Sequence, residues 1–199
     1  MKKFELTNEF VTNMFGTKLF RIRALVEFGD VEAGELGGYV EKESNLGHDD
    51  NAWVYGNARV YGDALVYGNA RVYDNAWVYG NTLVCGNALV CGNAWVYGDA
   101  QVSGDARVCG DARVCGNGDY AYAHGFGSVN RTTTFFRLKD GGVGVRCGCF
   151  YGTLAQFRDK IRETHGETKK AQEYLMLADL MELRFEEDEN EVGNRKYVE

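Results

Sequence analysis

"VYGNARVYGDALVYGNARVYDNAWVYGN", residues 54–81, is one six-residue phrase repeated with small edits. Written as V-Y-G-N-A-x, the phrase puts Val at 54, 60, 66, 72, 78, 84, 90, 96, 102, 108 and 114. Four positions after each Val stands a small residue. It is Ala at 58, 64, 70, 76, 88, 94, 100, 106 and 112, with Thr82 and Gly118 as the exceptions. Each unit therefore reads A-x-V-Y, and strand alternation sends Ala and Val to one side and x and Tyr to the other. Ala and Val are small enough to fill a thin prism, so they face inward. Gly followed by Asn or Asp makes the corner, where one residue needs a positive φ that these types tolerate.

A period of six, aliphatic at one position and small four later, resembles the hexapeptide repeat of left-handed parallel β-helices. The resemblance runs through every unit from Val54 to Val114. It implies a mainly β protein, a left-handed parallel β-helix of four to five coils. Three units make one coil, and coils stack at roughly 4.8 Å. Residues 18 positions apart then lie above one another, which defines three outer faces. The first carries Trp53, Arg71, Leu89 and Arg107 beside Tyr55, Tyr73, Cys91 and Cys109. The second carries Arg59, Trp77, Trp95 and Arg113 beside Tyr61, Tyr79, Tyr97 and Cys115. The third carries Leu65, Leu83, Gln101 and Asp119 beside Tyr67, Cys85, Ser103 and Ala121. The tyrosines are expected as outward ladders, ring on ring. Corner columns such as Asn69-Asn87-Asp105 place no Asp directly above another, which avoids stacked like charges. They read as structural ladders, not calcium sites.

Three regions follow: 1–39 as an N-terminal β lead-in, 40–123 as the β-helix, and 124–199 as a small C-terminal α+β cap domain. In the lead-in, "TKLFRIRALVEF" (17–28) alternates like a strand, and an insertion at Gly47–Asp50 shifts the repeat by two residues. After the repeat, "TTTFFRLKDGGVGVRCGCF" (132–150) reads as a hairpin turning at Asp140-Gly141-Gly142. Val143, Val145, Cys147 and Cys149 share one face of its second strand and read as core. "TLAQFRDKIRETHG" carries a Thr153/Gln156 capping box and a stop at Gly166, so it is a helix. A second helix over 168–185 is apolar round more than half its circumference and must be buried on a neighbour. The run "EEDENE" at 186–191 reads as a solvated tail.

Twenty-six glycines and no proline fit a repetitive backbone. No apolar run is long enough to span a membrane, and "MKKFELTNEF" has no apolar segment behind its lysines, so a cytoplasmic protein is expected. The net charge of −7, with no basic patch, argues against nucleic acid. Six cysteines without an export signal suggest reduced thiols, Cys91 and Cys109 included, although those two lie within disulfide range on adjacent coils. No Cys spacing matches a zinc pair, and no metal is expected.

The lead-in, with GGYVE, NL and NAWV, resembles hexapeptide-repeat proteins of phages, prophages and enterobacteria, some labelled acetyltransferases on the repeat alone. The acyltransferases of this class are usually trimers with acyl-CoA between neighbouring β-helices and a histidine base, a role that imidazole suits. Residues 54–119 contain no histidine and no interrupting loop. His48, His124 and His165 lie outside them; His124 in "YAHGFG" is the best catalytic candidate, against a plain polar role in capping the coils. A carbonic-anhydrase-like zinc site would need histidines on the coils and is excluded. The expected function is therefore a non-catalytic protein-binding scaffold, phage- or prophage-encoded, in the host cytoplasm, possible inhibition of a host defence protein included. It needs no cofactor. The alternative is an acyltransferase using acetyl-CoA. The expected interaction face is Arg59, Tyr61, Trp77, Tyr79, Trp95, Tyr97 and Arg113, with a second at Leu65, Tyr67 and Leu83, since exposed aromatics and arginines dominate interfaces. The partner is the cap domain, a second copy in a homo-oligomer (dimer or trimer), or a host protein.

Overall fold

The computed structural model describes residues 2–127, 129 and 131–186. The chain opens with three strands, β1 (Phe4–Thr12), β2 (Lys18–Ala24) and β3 (Leu36–Val40). The repeat then forms two-residue strands β4 to β14, each a Val and the residue before it. They are Trp53–Val54, Arg59–Val60, Leu65–Val66, Arg71–Val72, Trp77–Val78, Leu83–Val84, Leu89–Val90, Trp95–Val96, Gln101–Val102, Arg107–Val108 and Arg113–Val114. Next come β15 (Tyr120–Phe126), β16 (Arg131–Arg137), β17 (Val143–Cys147) and β18 (Phe150–Thr153), then α1 (Leu154–His165) and α2 (Lys169–Phe185).

Strands three units apart pair in parallel, so the coils wind into a parallel β-solenoid of three faces. Val78 and Val96 pair in register, as do Trp77 and Trp95, and the whole Val column from Val54 to Val114 is fully buried. The Ala column is buried with it, and where Thr82 replaces Ala its hydroxyl donates to the Tyr79 carbonyl. Trp53 is an exception to the expected outer faces. It is fully buried, because the lead-in folds over the first coil and packs Phe4 and Phe28 edge-on against its indole.

The two-residue insertion falls where it was expected. Val40 pairs with Val60 and Leu46 with Val66, twenty residues on, whereas Val54 pairs with Val72, eighteen on. The corners confirm the positive-φ requirement, and Asp74 makes the point best. It stands where other units have Gly, and it is the only non-Gly residue with positive φ among those described, at 60°. Its carboxylate accepts from Gly92 N at 2.9 Å in the coil above. A side chain at Gly92 has no such freedom, since a Cβ there would meet Gly110 N at 2.8 Å.

Each coil donates its N–H groups to carbonyls of the next coil, as Trp53 N does to Ala70 O. The first coil is thus left with carbonyls lacking donors and the last with N–H groups lacking acceptors, and neither can be buried unpaired. Polar side chains, all buried except Asn117, close both ends. At the start, Lys3 Nζ donates to the carbonyls of Asp50 and Ala52, both at 2.8 Å, and Asn45 Nδ2 to those of Gly62 and Ala64 at 3.1 and 2.8 Å. At the finish, Asn117 Oδ1 accepts from Gln101 N, Thr134 Oγ1 from Arg107 N, and Asp119 Oδ2 from Cys115 N. Donors cap one end and acceptors the other, as the ladder's polarity demands. Edges so closed are no longer templates for aggregation.

The C-terminal unit is a four-stranded antiparallel sheet, β15-β16-β17-β18, with both helices on one side. It sits on the end of the solenoid and not on a face. Phe136 joins the solenoid core, with Tyr120 and Leu138 packed beside it, and Ala112 bridges to Leu138. Adjacent Phe135 points the other way, into a second core with Leu154, Phe157, Ile161, Tyr174 and Phe185. The Thr153/Gln156 capping box and the positive φ at Gly166 bound α1 as expected. Cys147 packs against this core, but Cys149 is exposed, because the chain turns at Gly148 and leaves the strand before reaching it. Cys91 and Cys109 form a disulfide, with Cα atoms 4.6 Å apart, where reduced thiols were expected. In-register stacking of adjacent coils brings them that close. Of the acidic run at 186–191, all but Glu186 lies outside the described residues.

Candidate functional site

The aromatic face is built by register. Because coils stack in parallel at constant offset, identical units place identical rings above one another. Tyr61, Tyr79 and Tyr97 form one column, with centroids 5.0 and 5.3 Å apart and planes within 9° of parallel. Beside it Trp77 and Trp95 stack at 5.1 Å. The indole pair is closed at both ends by guanidinium groups, Arg59 at 5.0 Å from the Trp77 centroid and Arg113 at 4.2 Å from that of Trp95. Arg113 is further held by the carbonyls of Asn93 and Ala112. The structure thus brings all seven expected residues onto one strip.

They are not equally available. Tyr61 is buried, in a cluster with Leu19 and Tyr39, against which Val11, Trp77 and Tyr79 pack. The lead-in therefore covers the base of the strip, which sequence reading missed; the alternation in 17–28 was the only signal, and it did not say where the strand would lie. Trp95 and Tyr97, further along, are half-buried. Burial pushes the phenols of Tyr61 and Tyr79 up to about 12. They are neutral at any physiological pH and act as hydrogen-bonding edges, not as acids.

Stacking decides which parts of the rings are presented. Both faces of Tyr79, Trp77 and Trp95 are taken by neighbouring rings or guanidinium groups, so these rings present their edges. Flat apolar and hydrogen-bonding edges suit a complementary protein surface. The second expected face holds Leu65 and Leu83, half-buried, and Tyr67, exposed. They stand apart from the aromatic strip on the three-stranded face.

The histidines do not converge. His48 stacks on Phe4 at 4.5 Å and accepts from Lys3 N. His124 is exposed on β15, with Nδ1 at 2.9 Å from Thr132 Oγ1. His165 lies against Tyr174 at the end of α1. The lead-in also leaves a shallow cleft of about 370 Å³ lined by Lys3, Phe28, His48, Asp49 and Asp50. Its lysine is held down in pKa by burial, against the pull of Asp50, and its donors are taken by the end-cap carbonyls. Along the corners, Asn51 donates to Asn69, Asn69 to Asn87 and Asn87 to Asp105, at 3.1, 3.1 and 2.9 Å. Each ladder in which this is seen ends on an Asp, which can only accept: Asn81 donates to Asp99 and Asn93 to Asp111.

The YdcK β-solenoid repeat family model matches residues 52–68, 64–80 and 100–116. These matches lie within the repeat and agree with the solenoid: the chain is a repeat β-helix protein. No curated protein matches it. No helix among the described residues is long and apolar enough to cross a membrane.

Proposed function

We propose that the protein is a non-catalytic binding scaffold whose aromatic strip receives a protein partner. The observation that carries this is the Arg59–Trp77–Trp95–Arg113 column with its tyrosine neighbours, a rigid strip of ring edges held in register by the solenoid backbone. Aromatics and arginines concentrated at one site are the residues that anchor interfaces. The resemblance of the lead-in to phage- and prophage-borne proteins supports a host protein as that partner, met in the host cytoplasm. No cofactor enters this reading.

The test compares affinity purification from the native host with wild-type protein and with a Trp77→Lys, Trp95→Lys variant. A partner retained by the wild type and lost by the variant supports the reading, and identical protein sets in both count against it. Acetyl-CoA is added to a parallel melting experiment. A rise in Tm with acetyl-CoA, abolished by His124→Ala, would move the assignment to the acyltransferase class.

A further inference from the structure

A different surface, on α2, carries its own argument. This helix buries Ala171, Tyr174, Ala178, Met181 and Phe185 against the cap core. Its other side presents Met176, Leu180 and Leu183, at 71%, 54% and 67% exposure. Their spacing of four and three residues makes one continuous apolar row on the helix surface. The apolar girth expected to be buried on a neighbour is thus covered on one side only.

The charges of α2 are reversed with respect to its own dipole. A helix favours acid in its first turn and base in its last. Here the first turn has no acid and carries Lys169 and Lys170, both exposed. At the other end Glu186 is exposed, Glu182 is held by Arg158 of α1 at 2.8 Å, and the sequence continues as acidic "EDENE". Arg184 is the one base in the last turn. Along the exposed row, Lys169 lies one heptad before Met176, so the basic end belongs to that row.

We propose that α2 pairs antiparallel with α2 of a second copy of this chain, burying the Met176–Leu180–Leu183 row at a two-fold interface. Antiparallel pairing sets the basic start of each helix beside the acidic end of the other and corrects both unfavourable ends. A two-fold axis between Met176 and Leu180 places each Met176 opposite the partner's Leu180. Glu173, half-buried and accepting from Gly127 N, and Arg184, exposed and donating to Asn117 O, flank the row on the same side near opposite ends, so the same axis brings each Glu173 near the partner's Arg184. A parallel pair would instead stack base on base and acid on acid. An isologous two-fold contact also closes on itself, which limits growth to a dimer. The inference does not rest on the aromatic strip.

Sedimentation velocity of the full chain over rising micromolar concentrations tests it. The wild type is expected to shift from the mass of one chain to that of two, less so in high salt, since the end charges are solvent-exposed. A Met176→Lys, Leu180→Lys variant should remain one chain while keeping its circular dichroism, because both side chains are exposed in the monomer. A Lys169→Glu, Lys170→Glu variant should also lose the dimer, yet hold or raise its Tm, since acid at the N-terminus suits the isolated helix. A wild type that stays monomeric overturns the proposal. So does a dimer that survives the α2 variants, or one that dissolves only in the Trp77→Lys, Trp95→Lys variant.

Discussion

At the residue scale, the same backbone puts neighbouring residues in opposite surroundings. Val78 is fully buried in the prism, while Tyr79 lies on the strip between Tyr61 and Tyr97. Val78→Asp should unfold the coil stack, because an unpaired buried carboxylate costs several kcal/mol. Tyr79→Asp should lose two stacking contacts of about 0.5–1.5 kcal/mol each and still fold. Equal melting losses in the two variants would overturn the inside–outside assignment. The tyrosines add a pH dependence. Phenols with an ordinary pKa near 10 in the unfolded chain are raised to about 12 at Tyr61 and Tyr79 by burial. Folded protein then holds protons that the unfolded chain has released, so their contribution is complete below pH 10 and is lost between pH 10 and 12. Chemical denaturation across that window should show stability falling in the wild type. The fall should be shallower in a Tyr61→Phe, Tyr79→Phe variant, and an unchanged slope would mean that these phenols titrate normally.

At the element scale, the coils were legible in the sequence and their ends were not. Period six fixes core, corners and ladders because every unit meets the same neighbours, so Val54 to Val114 and the Asn-to-Asp columns could be read directly. The caps lack that redundancy. Nothing near Lys3 or Asn45 marks them as substitutes for missing backbone donors, and Asp119, which its repeat position places on the outer third face, is instead buried with its carboxylate on Cys115 N and Gly116 N. Trp53 was misassigned for the same reason: its repeat position says outward, and a segment distant in sequence covers it. Lys3→Met should keep the packing but leave the carbonyls of Asp50 and Ala52 unpaired. The expected cost is about 1–3 kcal/mol for each carbonyl deprived of its donor. Lys3→Arg, which retains donors, should cost less. Thermal melts of the two variants decide it, since equal losses would show that Lys3 contributes bulk and not hydrogen bonds.

At the scale of the whole molecule, β16 is a wall between two cores. Phe136 closes the open end of the solenoid and Phe135 anchors the helices, with the two side chains on opposite faces of one strand. Stability in a solenoid is a sum of neighbour contacts, so damage at one end need not spread far. Phe136→Ala removes the plug from the last coil, and Phe135→Ala removes the floor beneath α1 and α2. Each truncation should cost about 3–5 kcal/mol, but in different places. Hydrogen exchange read by mass spectrometry resolves where. Phe136→Ala should lose protection over Trp95–Val114 first, with Val54–Val78 still slow. Phe135→Ala should lose it in α1 and α2, with the coils unchanged up to Thr134 Oγ1, whose bond to Arg107 N ties the sheet to the last turn. If both variants instead open the whole chain together, β16 couples the cores into one cooperative unit. The end cap would then be part of the solenoid's stability and not an independent domain resting on it.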